Sequence, residues 1–106
     1  MRELDEKQLL EELWSKGKPL AVFLHTPFCG TCKVARRMLE VTEHLLPEGI
    51  LAEADVNMLP KVVEQYRISS VPALLIADPK RTSKPEIIYS MGSVEDLLAQ
   101  IRGVLS

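Results

Sequence analysis

Residues Phe28-Cys29-Gly30-Thr31-Cys32-Lys33 hold both cysteines of the 106-residue chain, at the point where a strand-like apolar run gives way to a helical repeat. Before them, Pro19-Leu20-Ala21-Val22-Phe23-Leu24-His25 is too short to cross a bilayer and suits a buried central strand. After them Val34, Ala35, Met38, Leu39, Leu45 and Leu46 recur at helical spacing, while Lys33, Arg36, Arg37, Glu40 and Glu43 fall on other faces. The cysteines therefore occupy a strand-to-helix turn. Cys29 stands at or just before the first helical residue, where unpaired N–H groups and the helix dipole favour an anion. A thiolate is such an anion, and both this placement and Cys-X-X-Cys spacing lower a thiol's pKa. Two intervening residues also bring Cys32 within bonding reach of Cys29, so a mixed disulfide formed at Cys29 can be resolved internally.

The rest of the composition narrows the function classes. A hydrophobic content of 46% and a net charge of -2 over this length predict one soluble domain spanning residues 1–106. The charged opening Met1-Arg2-Glu3-Leu4-Asp5-Glu6-Lys7 leads into no signal-peptide core, and no later run is long enough for a bilayer, so a cytoplasmic chain without membrane association is expected. In that compartment two cysteines make a poor structural staple, which favours catalytic or metal-binding use. The slightly acidic balance, with no Lys and Arg stripe interleaved with aromatics, carries no footprint for nucleic acid. Repeats and low-complexity segments are absent, and a monomer is expected.

Periodicity supplies the remaining elements. A helix is predicted over residues 6–15, with Asp5 as N-cap, Gln8 as its reciprocal partner, Leu4 stapled against Leu9, and Leu9, Leu10, Leu13 and Trp14 on the buried face. Lys16-Gly17-Lys18-Pro19 ends it. The helix after the cysteines should run to about Leu46, before Pro47-Glu48-Gly49. Residues 50–56 alternate as a strand, with Leu51, Glu53 and Asp55 on one face, and a short helix over about 58–66 has Asn57 as its cap. Ala73 to Ala77 and Glu86 to Met91 read as an antiparallel pair. The loop between them carries Lys80, Arg81 and Lys84 and is expected to be a solvated connection. Gly92 turns the chain, and Ser93 with Asp96 caps a last helix.

With Cys29-Gly30-Thr31-Cys32 at a strand-to-helix turn, Val71-Pro72 about forty residues later and Gly92 before the last helix, the chain resembles thioredoxin over essentially its whole length. The resemblance implies an α/β thioredoxin fold, a central mixed sheet of four to five strands flanked by helices on both faces. Only the residues around Met1 to Leu4 are available for the first strand. It also implies that Cys29 attacks, Cys32 resolves, and Pro72 is the family's cis-proline, beside the cysteines, with Val71 free to pair with an extended substrate. Phe28 stands where the family usually has tryptophan, and offers an apolar rim.

The departures matter as much. Phe23 occupies the position of the family's buried aspartate, six residues before the attacking cysteine. Glu53 either supplies a carboxylate from a different direction or is a partly solvated strand residue. His25, where the family has an aromatic ring, either stabilises the thiolate and shuttles its proton or packs as that ring would. Gly30-Thr31 replaces Gly-Pro, and Arg37 replaces the helix-kinking proline; both changes remove rigidity. A reduced form better stabilised by helix N–H groups would make the pair less reducing than thioredoxin, and a Thr31 hydroxyl near the sulfur acts in either direction.

A metal site would draw on Cys29, Cys32, His25 and His44. One histidine precedes the cysteines and the other lies some three helical turns beyond them, unlike a zinc finger, so no metal is expected. Glutaredoxin-like exchange at Cys29 alone is an alternative, weakened by the lack of a Gly-Gly pair after the strand beginning at Pro72. A non-catalytic thioredoxin-fold module binding an extended peptide at Phe28, Val71 and Pro72 is another. The reading reached is dithiol–disulfide exchange with disulfide-containing proteins, using no cofactor beyond the Cys29–Cys32 pair. Lys33 favours the thiolate, Phe28, Gly30, Thr31, Val71, Pro72 and Gly92 form the substrate surface, and a thioredoxin-reductase-like flavoprotein or a low-molecular-weight thiol restores the reduced form.

Overall fold

The computed structural model describes residues 1–105. Five strands form one mixed sheet in the order β1-β3-β2-β4-β5: β1 Arg2–Glu3, β2 Leu20–His25, β3 Leu51–Asp55, β4 Ala73–Ala77 and β5 Glu86–Ile88. The strands β1, β3 and β2 run parallel, whereas β4 is antiparallel to both β2 and β5. The residues around Met1 to Leu4 do supply a first strand, a short edge paired to β3. Four helices cover the sheet: α1 Glu6–Trp14, α2 Gly30–His44, α3 Pro60–Tyr66 and α4 Val94–Leu105.

Alternation along the central strand decides which helices lie where. Leu20, Val22 and Leu24 of β2 join Leu9 and Leu13 of α1 and Val62 of α3 in one buried cluster. Ala21 and Phe23 point the other way and join Ala35 and Leu39 of α2 with Leu97 and Ile101 of α4. A strand with helices on both faces must be apolar at every position, which is why Leu20 to Leu24 reads as a continuous run.

The helix starts follow their sequence signals. Asp5 Oδ1 accepts the Gln8 N–H at 2.8 Å while Gln8 Oε1 accepts the Asp5 N–H at 2.9 Å, a complete capping box, and Leu4 and Leu9 are buried in the same cluster. Ser93 Oγ accepts the Asp96 N–H at 3.1 Å before α4. Elsewhere the boundaries move. Val56–Met58 forms a separate 3-10 turn in which Asp55 accepts the Asn57 N–H, so α3 begins at Pro60, a residue with no N–H to leave unpaired. The strand β5 stops at Ile88 rather than Met91, and α2 at His44 rather than Leu46.

Three expectations of burial or solvation fail for tertiary reasons. Trp14 is 73% exposed, because α1 buries the Leu9 and Leu13 line and Trp14 lies a further 100° round the helix. Val34 and Leu45 of the helical repeat are also exposed, beside the buried line Cys32, Ala35, Leu39 and Thr42. The loop after β4 is not simply solvated. Arg81 folds back across it, donating from Nε to Leu13 O at 3.0 Å, from Nη1 to Lys18 O at 2.7 Å and to Asp78 O, and from Nη2 to Glu12 O at 2.8 Å.

Candidate active site

The strand β2 ends at His25 and α2 starts at Gly30, so the four residues between carry the chain from the sheet to a helix N-terminus. Cys29 is the N-cap of α2, with φ -95° and ψ 109°, and its sulfur takes the place usually held by an oxygen. Sγ accepts the Cys32 N–H at 3.2 Å and lies 3.3 Å from the Thr31 hydroxyl. The two cysteines are joined as a disulfide, with Cα atoms 5.2 Å apart. They are not equivalent. Cys29 is half-buried, whereas Cys32 is 5% exposed and packs in the cluster that contains Phe23 and Ala35.

Residues distant in sequence complete the surroundings of Cys29. The Val71–Pro72 peptide bond is cis, and the Val71 carbonyl oxygen lies 4.0 Å from Cys29 Sγ. Both residues are half-buried just before β4, which pairs with β2. Phe28, beside the cap, is 99% exposed and meets no core. Gly30, Thr31 and Lys33 are exposed on the first turn of α2. Gly92 has φ +55°, which glycine adopts without strain in the turn into α4, and a Cβ there would come within 2.7 Å of the Asp96 carboxylate and displace it.

His25 and Glu53 come together in a separate group. The β2–β3 register sets Phe23 opposite Glu53, and the Glu53 side chain, 14% exposed, accepts a hydrogen bond from Arg36 Nη1 at 2.8 Å. His25 Nε2 lies 3.3 Å from the other carboxylate oxygen but is shielded from solvent and not aligned to donate to it. The His25 ring stacks on Phe23 with centroids 5.2 Å apart, and the Arg36 guanidinium carbon sits 5.4 Å from the centre of the Phe23 ring. Burial alone would push the Glu53 carboxyl up, but the Arg36 hydrogen bond and charge, with His25 adding a smaller pull, hold it below its ordinary range. Arg36 is raised in turn, first by that hydrogen bond. Glu53 is therefore a largely buried, paired strand residue.

This cluster connects to the cysteines through Phe23, which shares its buried group with Cys32. Helical spacing sets Arg36 on a face other than that of the apolar repeat and does not show its pairing with Glu53. The available signal was its place one helical turn after Cys32, on the side of α2 that overlies β3. His44 is exposed in the last turn of α2. Among the described residues no group of three or more His, Cys, Asp and Glu is gathered as a metal site, and no helix is long and apolar enough to cross a membrane.

Comparison with known proteins bears on the whole chain. The Thioredoxin family model matches residues 1–102. The thioredoxin-like protein YusE of Bacillus subtilis (strain 168) is 33% identical over 101 residues, covering 94% of this chain and 92% of that protein. A thioredoxin of Mycoplasmoides gallisepticum is 24% identical over 99 residues, covering 92% and 99% respectively. Among solved structures, chloroplastic thioredoxin z superposes with a TM-score of 0.80 at 20% identity, over 98% of this chain and 93% of that one, and shares the fold.

Proposed function

The chain belongs to the thioredoxin family, whose members are thiol–disulfide oxidoreductases, and on that footing we propose that it reduces disulfides in partner proteins through Cys29 and Cys32. The observation that carries this reading is the asymmetry of the pair, a half-exposed sulfur capping a helix beside a buried one. Only Cys29 is open to a partner.

In the reduced protein the Cys29 thiolate attacks one sulfur of the partner disulfide. A Cys29–partner bond forms, the partner S–S bond breaks, and the partner's other sulfur leaves as a thiolate. Cys32, deprotonated, then attacks Cys29 Sγ. The intramolecular disulfide forms, and the second partner sulfur departs with the electron pair. The partner gains two electrons and, on protonation, two hydrogens; the protein is left as the Cys29–Cys32 disulfide. The Cys32 N–H supports negative charge on Cys29. Exposed Phe28 and the peptide edge at Val71-Pro72 supply an apolar rim and backbone acceptor for an extended partner segment. A two-electron donor, a flavoprotein reductase or a low-molecular-weight thiol, closes the cycle in the cytoplasm without a further cofactor.

The test is to trap the intermediate. Cys32→Ser should accumulate a mixed disulfide with a disulfide-containing model protein, seen by non-reducing mass spectrometry and lost with dithiothreitol, whereas Cys29→Ser should accumulate none. Equal trapping by both variants would overturn the order of attack. Failure of the wild-type protein to form an intramolecular disulfide at any thiol–disulfide ratio would overturn the exchange mechanism.

A further inference from the structure

We propose that the Thr31 hydroxyl is a second hydrogen-bond donor to the Cys29 thiolate and, with the Cys32 N–H, sets the acidity of the nucleophile and the poise of the pair; this deepens the exchange reading above and rests on it. Thr31 is the second residue of α2, and its Oγ1 lies 3.3 Å from Cys29 Sγ, while the Cys32 N–H reaches the same sulfur at 3.2 Å. Two donors thus converge on one atom at the positive end of a helix of 15 residues.

The alternative use of such a hydroxyl is visible in the same helix. Thr42, deep in α2, donates back to Met38 O at 2.8 Å, the ordinary bond of a helical threonine to the carbonyl four residues earlier. At Thr31 the position four residues earlier is Pro27, outside the helix, and the hydroxyl turns to sulfur instead. β-Branching restricts the side chain to few rotamers, so little freedom is lost in holding it there.

The contact does not favour the two redox states equally. A disulfide sulfur is a weak acceptor, and a thiolate is a full negative charge toward which the hydroxyl hydrogen can rotate. The bond therefore strengthens when the disulfide takes up two electrons and Cys29 is left as the anion. It lowers the Cys29 pKa and favours the reduced pair. No proton passes through the hydroxyl; it donates and keeps its hydrogen. A residue at this position without a side-chain donor lacks this stabilisation, and proline there would also remove the second N–H of the helix start.

The test compares Thr31→Val, which keeps the β-branch and loses the hydroxyl, with Thr31→Ser, which keeps the hydroxyl. In fully reduced protein, iodoacetamide alkylation of Cys29 is followed against pH by mass spectrometry. The disulfide fraction is then measured across graded dithiothreitol ratios. Thr31→Val should raise the Cys29 pKa by about one unit, the scale of a charge-assisted hydrogen bond moderated by solvent. It should also move the dithiol–disulfide equilibrium toward the disulfide by up to about tenfold, about 30 mV for this two-electron couple. Thr31→Ser should stay within about twofold of wild type. A pKa unchanged in Thr31→Val, or equal shifts in Val and Ser variants, would overturn the proposal. In either case a Thr31→Val protein that still cycles between dithiol and disulfide leaves the exchange reading standing, so the two failures are separable.

Discussion

The two ends of β2 meet the same physical problem and answer it differently. Beyond its last residue, α2 begins with unpaired N–H groups, and a sulfur half-open to solvent accepts one of them. Before its first residue, α1 ends with carbonyls that lack their full helical partners; Arg81 donates to Leu13 O and, beside the Ser15 N–H, to Glu12 O, while also holding the Lys18 and Asp78 carbonyls. A cation meets the carbonyl end of α1, and a sulfur that becomes an anion only on reduction meets the N–H end of α2. At the α1 end the cation is fixed by four acceptors, and burial pulls its pKa down while the Asp78 and Glu12 charges partly restore it. At the α2 end the acceptor is a reactive atom with few partners. A helix terminus becomes chemistry where its partner is left accessible, and becomes scaffold where its partner is enclosed.

The strongest way to break this contrast is Arg81→Ala. It strips a donor from four carbonyls, two of them at the end of α1, and should cost about 2–4 kcal/mol in urea unfolding. The alkylation profile of Cys29 and the dithiol–disulfide equilibrium should not move. Arg81 has φ +54°, so Arg81→Gly should recover up to about 1 kcal/mol of the loss by relieving the left-handed backbone. A loss below about 0.5 kcal/mol would show that water replaces the guanidinium at no cost, and a shifted Cys29 profile would show that the two ends are coupled.

This contrast also explains what could be read from the sequence. The redox end is local: the strand, the Cys-X-X-Cys turn and Val71-Pro72 are each patterns within a few residues, and the structure forms β2, the turn into α2 and a cis Val71–Pro72 bond at those positions, although Val34 and Leu45 of the helix repeat stay exposed. Arg81 looked like one of three basic residues in a loop, because its acceptors at Glu12 and Leu13 lie 69 and 68 residues away. Trp14 misled for the opposite reason, since hydrophobicity alone does not tell which side of a helix end the sheet will cover. Arg36 and Glu53 fall between these cases. Both were legible as charged residues on defined elements, but their pairing depends on how α2 crosses β3.

Glu53→Gln probes the ground beneath the redox end. The amide can still accept from Arg36, but the charge that holds Arg36 and faces His25 is gone, and a loss of about 1–2 kcal/mol at pH 7 is expected, between exposed and buried pairs. The pH dependence has a definite sign. Glu53 is held below its ordinary range in the folded protein, so its stabilisation is fully present above about pH 4.3 and is lost as pH falls through the folded value. The gap between wild type and variant should therefore close on acidification, because carboxylates common to both proteins cancel in the difference. A gap that does not narrow at all on acidification would mean that shape, not charge, carries the effect.

The smallest effect sets two N-caps side by side. Asp5 is an ordinary cap, with an exposed carboxylate accepting the Gln8 N–H and a reciprocal bond from the Gln8 side chain, and Asp5→Ala should cost about 1 kcal/mol. Cys29 caps α2 through the equivalent N–H, three residues on, but its acceptor is sulfur. Neutral sulfur is a weak acceptor, so at a pH where Cys29 is a thiol, Cys29→Ala in reduced protein should cost less than Asp5→Ala, about 0.5 kcal/mol or under. Raising the pH until Cys29 is a thiolate should widen that cost toward or past the carboxylate's, while the Asp5→Ala cost stays flat. Urea midpoints of both variants at pH 5 and pH 9, with dithiothreitol removed under nitrogen after full reduction, separate the outcomes. A Cys29→Ala cost that ignores pH would mean that the helix start does not distinguish thiol from thiolate, and the acidity of the nucleophile would then have to come from somewhere other than its cap.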